Sequence, residues 1–198
     1  IRIEGGYIED AINEAVRQAY AQGHFRMSVL DPLSRKNTGD NTPAVIHYAI
    51  TEGDRLRINF LAKGFGSENM SRLYMLKPSD GTEGVKRAAA ETVKLAGSNP
   101  CPPIIMGIGI GGTADKAMEL SKRALLRDIG SKNLDPDLAT LEEEILERVN
   151  ALGIGAQGFG GDTTALAVFI EKFPTHIAAL PVGINIQCDS VRKGEVVL

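Results

Sequence analysis

Between Asn99 and Ala117 the chain reads NPCPPIIMGIGIGGTADKA, and no other stretch restricts the fold as much. Pro100, Pro102 and Pro103 stiffen the backbone around Cys101 and withhold three N–H donors, so neither a helix nor a ladder runs through them. Ile104–Ile110 is short and apolar enough for a buried strand. Glycines then turn the chain, and Thr113 stands where a helix running towards Arg127 would be capped. Gly107, Gly109 and Gly112 also satisfy G-x-G-x-x-G, with Asp128 at about the 20-residue distance of a dinucleotide fingerprint. That fingerprint needs its acid at the end of a second strand. Here Asp128 ends a helix and GSKNLDPD follows, which is no strand. A nicotinamide site is therefore disfavoured. Two readings stay open: glycines that let the helix lie close to the sheet, and a helix start near Gly111–Thr113 that faces an anion.

The remaining segments can be read in order. Ile8, Ala11, Ile12, Ala15, Val16, Ala19 and Tyr20 recur at helical spacing, with Gly23 as a stop. HFRMSVLDPLSRKNTGDNTPAV is dense in Asn, Asp, Thr and Pro and reads as a loop bonded to its own backbone. Ala44–Thr51 and Arg55–Lys63 alternate as strands, joined at Glu52-Gly53-Asp54 into an expected hairpin. KGFGSENMSRL reads as a loop able to offer backbone N–H groups to an anion. Gly81–Leu95 carries a helical stripe of Val85, Ala88, Ala89, Thr92 and Val93, and Pro136 opens another helix reaching about Leu152. The acidic triplet Glu142–Glu144 on that helix reads as a solvated face. After the glycine-rich GIGAQGFGGDTT come two strands, Ala165–Phe173 and Ile177–Gln187, with Cys188 just beyond. Without repeats, low complexity or a linker, the expectation is a single α+β domain, with helices packed around mixed β-sheets.

Composition narrows the function classes. The 198 residues suffice for a sizeable core; 43% are hydrophobic and only 5% aromatic, so Ala, Ile, Leu and Val must build it. A net charge of −3 argues against nucleic acid as a partner. No apolar run approaches the roughly 18 residues that span a bilayer. Two cysteines make no disulfide framework, which points to a reducing cytoplasm. The opening IRIEGG already reads like strand and turn, so further residues are expected upstream.

The local chemistry leaves alternatives. A buried, inert thiol is the usual fate of a cytosolic cysteine, but the prolines single out Cys101. Cys188 follows a strand and precedes polar DSVRKGE. Two thiolates do not complete a zinc site, nor do these match a Cys-x-x-Cys redox pair. His176 enters an apolar strand, where a structural histidine is the simplest reading; His24 and His47 are undistinguished. Arg26 reads either as a surface residue or as one drawn inward to a carboxylate.

Four phrases taken together resemble one family: GHFRMSVLDPLSRKNTGDNTPAVIHY, GFGSENMSRL, NPCPPIIMGIGIGGTADKA and PTHIAALPVGINIQC. They are similar, in the same order and over nearly the whole chain, to the alpha part of class I iron–sulfur fumarate hydratases and L-tartrate dehydratases. The resemblance implies a [4Fe–4S] cluster held by three cysteines, with Cys101 matching the second ligand and Cys188 the third. The family's first ligand lies in a CQDTG motif upstream of the equivalent of Ile1, which this sequence lacks. Residues 1–198 are thus expected to be an alpha-type domain without that segment. By the same resemblance Arg26 contacts a substrate carboxylate, Gly66 donates a backbone N–H and His176 belongs to the catalytic site. The implied reaction is reversible addition or removal of water on a dicarboxylate, fumarate/malate or alternatively tartrate. The implied partners are a separate beta subunit, which carries the catalytic base, and further copies in an oligomer. Two rival readings need no catalysis: an anion- or nucleotide-binding module built on Gly107–Thr113, and a cluster-free assembly partner.

Overall fold

The computed structural model describes residues 5–198, so the first four residues of the strand-and-turn reading of IRIEGG lie outside the described residues. The chain groups into two units, Ile1–Asp54 and Arg55–Leu198. The first carries α1 (Ile8–Gln22), which stops where the N–H of Gly23 donates to the Ala19 carbonyl at 2.9 Å. Its long loop is bonded to itself, as the Asn, Asp and Thr content implies. Asn41 Oδ1 accepts from the N–H groups of Ser28 and Val29, and Asp31 Oδ1 from those of Leu33 and Ser34. Thr42 and the Arg17 guanidinium hold the Asp40 carboxyl well below the usual carboxylate range.

The expected hairpin does not form. Ala44–Thr51 carries no strand, although its apolar positions alternate. Side chains of α1 engage this segment instead: Ala44 N–H donates to Asn13 Oδ1 at 2.8 Å, and the Tyr48 hydroxyl donates to the Glu9 carboxylate at 3.0 Å. Val45 and Ile50 stay exposed. The second predicted strand does exist as β1 (Arg57–Leu61), but its antiparallel partner is β6 (Lys193–Val197), at the far end of the sequence.

The second unit continues with α2 (Phe65–Glu68), β2 (Arg72–Leu76), α3 (Gly81–Ala96), β3 (Ile104–Gly111), α4 (Ala114–Ala124), α5 (Pro136–Asn150), β4 (Ala165–Phe173) and β5 (Leu180–Cys188). A mixed four-stranded sheet runs in the order β2-β5-β3-β4; β3 and β4 are parallel and the other pairs antiparallel. With helices on both faces of this sheet, the α+β class read from the sequence holds. On one face α3 and α5 cover Met106, Ile108, Val168, Ile170, Ile184 and Ile186, all buried. The α3 stripe read from the sequence is the buried one.

The opposite face is built for close approach. Cross-strand partners share a face, so Gly107 and Gly109 of β3 lie beside Asn185 and Gly183 of β5. A Cβ at Gly107 would sit 2.1 Å from the Ser121 carbonyl oxygen, and one at Gly109 2.0 Å from that of Ala117. At Gly183 it would stand 2.5 Å from the same Ala117 oxygen. These glycines are the bed on which α4 lies, which supports the packing reading of the G-x-G-x-x-G pattern.

One expectation is overturned inside α5. Glu142 is not solvated: it is buried, and its carboxylate accepts from Arg127, from Asn133 Nδ2 at 2.7 Å and from the Ile170 N–H at 2.7 Å. Arg127 in turn lies over the Phe169 ring, 4.6 Å from its centroid. Glu143 and Glu144 keep the exposed face, because only the position next to Leu141 and Ile145 turns toward the sheet. Removing one partner of a buried pair strands the other, so Glu142→Ala should cost about 3–5 kcal/mol. Glu143→Ala should stay within about 0.5 kcal/mol. Urea unfolding of the two variants checks this, and equal midpoints would contradict the buried assignment.

Candidate functional site

The two cysteines meet at one end of the four-stranded sheet. Cys188 closes β5 directly opposite Ile104, the first residue of β3, and Cys101 lies three residues before Ile104. Cys101 is exposed and adopts a left-handed backbone at φ +55°, with its N–H donating to the Ser98 carbonyl at 3.0 Å. The Pro102 carbonyl just after it is gripped twice by Gln157, from the backbone N–H at 2.7 Å and from Nε2 at 3.3 Å. Gln157 is itself left-handed at φ +54°, in a loop where a Cβ on Gly155 would stand 2.1 Å from the Gly160 oxygen. The glycine-rich segment 153–161 thus folds tightly enough to hold the Cys101 turn from the side. The polar groups of the prolines' neighbourhood are satisfied by this loop, since Pro102 and Pro103 offer no donors.

Gly66 belongs to the same end. It lies in the short helix α2, where a Cβ would come 3.1 Å from the Asn99 carbonyl oxygen, two residues before Cys101. The Gly66 N–H is one of the first-turn donors that a helix cannot satisfy internally. Ser67 Oγ donates to the Gly64 carbonyl at 2.8 Å and pins the turn. Glu68, the last residue of α2, meets Lys63 at 2.8 Å and Lys122 of α4 at 2.8 Å. Burial pulls the Lys63 ammonium down from its ordinary value, against the opposing pull of Glu68. Burial pushes Glu68 up, yet Lys122 and Lys63 together leave it below the ordinary glutamate value.

His176 lies elsewhere in the second unit, and Arg26 belongs to the first. His176 follows β4 at the opposite end of the sheet, beyond the point where Phe173 pairs with Gly111. Eight residues of β3 separate that end from the cysteine end, roughly 23 Å at the rise of a strand. There His176 Nδ1 accepts from the Ala178 N–H at 3.2 Å, beside a shallow cleft of about 410 Å³ lined by Thr113, Asp115, Lys116 and Phe173. The Thr113 hydroxyl and the first-turn N–H groups of α4 hold the Asp115 carboxyl below its ordinary value. The helix start near Gly111–Thr113 thus carries an acid of its own. Arg26 is in the first unit, exposed, with Nε donating to Ser28 Oγ at 3.1 Å. Within the second unit the fold thus gathers Gly66, Cys101 and Cys188, and sets His176 apart.

Sequence reading passed over three residues around the cysteines: Lys63, Gln157 and Gln187. Gln187 is wholly buried, and its Nε2 donates to Cys188 Sγ at 3.5 Å. Two amides at alternating positions of an otherwise apolar strand, Asn185 and Gln187, were the legible signal. Among the described residues no group of three His, Cys, Asp or Glu side chains gathers to hold a metal ion. The donor chemistry nonetheless suits a sulfur-ligated cluster in part. Two thiols share one end, one is exposed, the other accepts an amide N–H, and a buried ammonium stands nearby. They fit two positions of a three-thiolate set. Among the described residues no helix is long and apolar enough to cross a membrane.

The chain is similar to known proteins over nearly its whole length. A family model described as fumarate hydratase (Fumerase) matches residues 1–197. The "Putative L(+)-tartrate dehydratase subunit alpha" of Methanocaldococcus jannaschii is 51% identical over 191 residues, covering 94% of this chain and 67% of that protein. The L(+)-tartrate dehydratase subunit alpha of Escherichia coli strain UTI89 is 33% identical over 193 residues, 96% of this chain and 64% of its own length. Its counterpart in strain K12 is 32% identical over 197 residues, 98% and 65% of the respective chains. The chain spans about two thirds of the length of these curated relatives.

The difference in exposure between the two thiols predicts their order of reaction. Iodoacetamide on the native chain should label Cys101 first, by roughly tenfold in rate, because access limits Cys188. Peptide mapping at timed intervals reads the order, and faster labelling of Cys188 would contradict the placement of the two thiols.

Proposed function

This chain belongs to the fumarate hydratase (Fumerase) family, and from that premise we propose that it is the alpha component of an iron–sulfur hydro-lyase acting on a four-carbon dicarboxylate. The observation that carries the reading is the meeting of Cys101, Cys188 and Gly66 at one end of the sheet. Cys101 and Cys188 are the proposed cluster ligands, with the third thiolate contributed from outside the described residues. When bound, the cluster would supply an iron with an open position, a Lewis acid for a hydroxyl or carboxylate, with no net redox.

The chain's own residues have separate tasks in this reading. Gln157 fixes the carbonyl behind Cys101, so the thiol projects from a turn that is already held. Gly66 offers an N–H to a substrate carboxylate, where a side chain would collide with Asn99. Arg26 is proposed for the second carboxylate, as a planar fork with no acidic partner hydrogen-bonded to it among the described residues. His176 enters the reading through a neighbouring chain, because its own cysteines lie at the far end of β3. A separate beta subunit is the proposed source of the catalytic base; the relatives' designation as alpha subunits supports such a partner. Cytoplasmic residence and an oligomeric assembly belong to the same proposal.

Two substrates follow from two observations: the family's description favours fumarate and malate, and the relatives' names favour L-tartrate. The full-length alpha chain, reconstituted anaerobically with iron, sulfide and its beta partner, should develop the broad visible absorbance of a [4Fe–4S] centre and dehydrate malate or tartrate. Cys101→Ser and Cys188→Ser should each reduce turnover by more than the roughly 10–100-fold typical of losing an outer-shell partner. Turnover that survives Cys101→Ser, or a complex that takes up no iron, would overturn the reading.

A further inference from the structure

Beside Cys188 lie a surplus of positive charge and buried amide groups that the protein pairs only in part. The Lys63 side chain is only 8% exposed, and its ion-pair partner is Glu68. Glu68 is already shared with Lys122, so two ammonium groups surround one carboxylate. Lys63 follows Ala62, whose N–H donates to the Arg192 carbonyl at 2.8 Å, which places it beside the segment leaving Cys188. Gln187 commits its Nε2 to Cys188, at 3.5 Å from the sulfur and 3.3 Å from the carbonyl, and leaves Oε1 without a partner. Asn185, fully buried two residues earlier, has both amide atoms unpaired. Each orphaned amide atom costs about 1–3 kcal/mol, and the two ammonium groups exceed their one carboxylate by a single positive charge. That surplus charge, together with the Gln187 N–H on the Cys188 sulfur, suits an anionic occupant at Cys188.

We infer that Lys63 and Gln187 form a cationic, hydrogen-bonding wall beside Cys188 against which an anionic iron–sulfur cluster rests, and that the wall raises the cluster's reduction potential and slows its loss of iron. This rests on the proposed function, in which Cys188 is a cluster ligand. A fixed positive charge favours the form with one more electron, and N–H donors to the sulfur act in the same direction. Lys63 and Gln187 are positioning residues: they act through Cys188 and touch no substrate. Lys122 neutralises Glu68 from the more exposed side, which leaves the Lys63 charge to act on the sulfur.

The test uses the reconstituted alpha–beta complex, with the cluster's midpoint potential read by spectroelectrochemistry and its iron release timed against a chelator. Lys63→Met should lower the midpoint by the equivalent of about a tenfold change in the reduction equilibrium, 59 mV for one electron. It should also speed iron release several-fold. Lys63→Arg should restore most of both, and Gln187→Leu should shift both in the same direction by less. Lys122→Met, which leaves Glu68 to Lys63 alone, should lower the midpoint by less than Lys63→Met does. If Lys63→Met does not fold, Gln187→Leu and Lys63→Arg carry the test. A loaded complex whose midpoint and iron release ignore both Lys63→Met and Gln187→Leu overturns the inference and leaves the proposed function standing. A wild-type complex that takes up no cluster overturns both.

Discussion

The contact on which the second unit depends is the backbone of α4 lying directly on the sheet. It exists because Gly107, Gly109 and Gly183 have no Cβ where the carbonyls of Ala117 and Ser121 arrive. At 2.0 to 2.5 Å an added methyl would meet backbone, not a movable side chain, so the helix as a whole would have to lift. The depth of α4 has consequences at both ends. At its C-terminal end it carries Lys122 down to Glu68 and so fixes α2 beside Asn99 and the Cys101 turn. At its N-terminal end it sets Thr113 and Asp115 against Phe173 and His176. One close approach thus determines where both candidate loci of the unit stand.

How much of this was legible depended on whether the determining contact was local. The helices α1, α3 and α5, and the strands β3 and β4, were readable because period, caps and breakers lie within each segment. The hairpin at Glu52–Asp54 failed because alternation says that a strand fits but not which partner it finds; Arg57–Leu61 pairs with residues over a hundred positions away. Glu142 failed for a related reason. An acidic triplet carries no sign of which member faces the sheet until Arg127 and Asn133 are brought to it. At the site, the prolines around Cys101 marked it as held, but its clamp, Gln157, lies 56 positions further on and shows only as an amide among glycines. The family resemblance picked out Gly66, Cys101, Cys188, Arg26 and His176 as a set. It could not say that one sheet end gathers the first three and the other end holds the last.

The two ends of the sheet also differ in how they treat their own polar groups, and this bears on which of them awaits a ligand. At the α4 start the Thr113 hydroxyl and first-turn N–H groups lower the Asp115 carboxyl, and Thr175 donates to the Gly112 carbonyl at 2.9 Å. Nothing buried there is left unpaired among the described residues. Toward the cysteine end Asn185 and Gln187 retain buried amide atoms without hydrogen-bond partners, and the buried Lys63 has its ion pair with Glu68. Protein interiors pair such groups almost without exception, because each orphan forfeits the hydration it had when unfolded. An acidic chain with a net charge of −3 has moreover concentrated two lysines around a single glutamate at this spot. The imbalance is local and opposite in sign to the molecule's total charge, which is the pattern expected where an anion is to be received and not where a surface is merely being solvated.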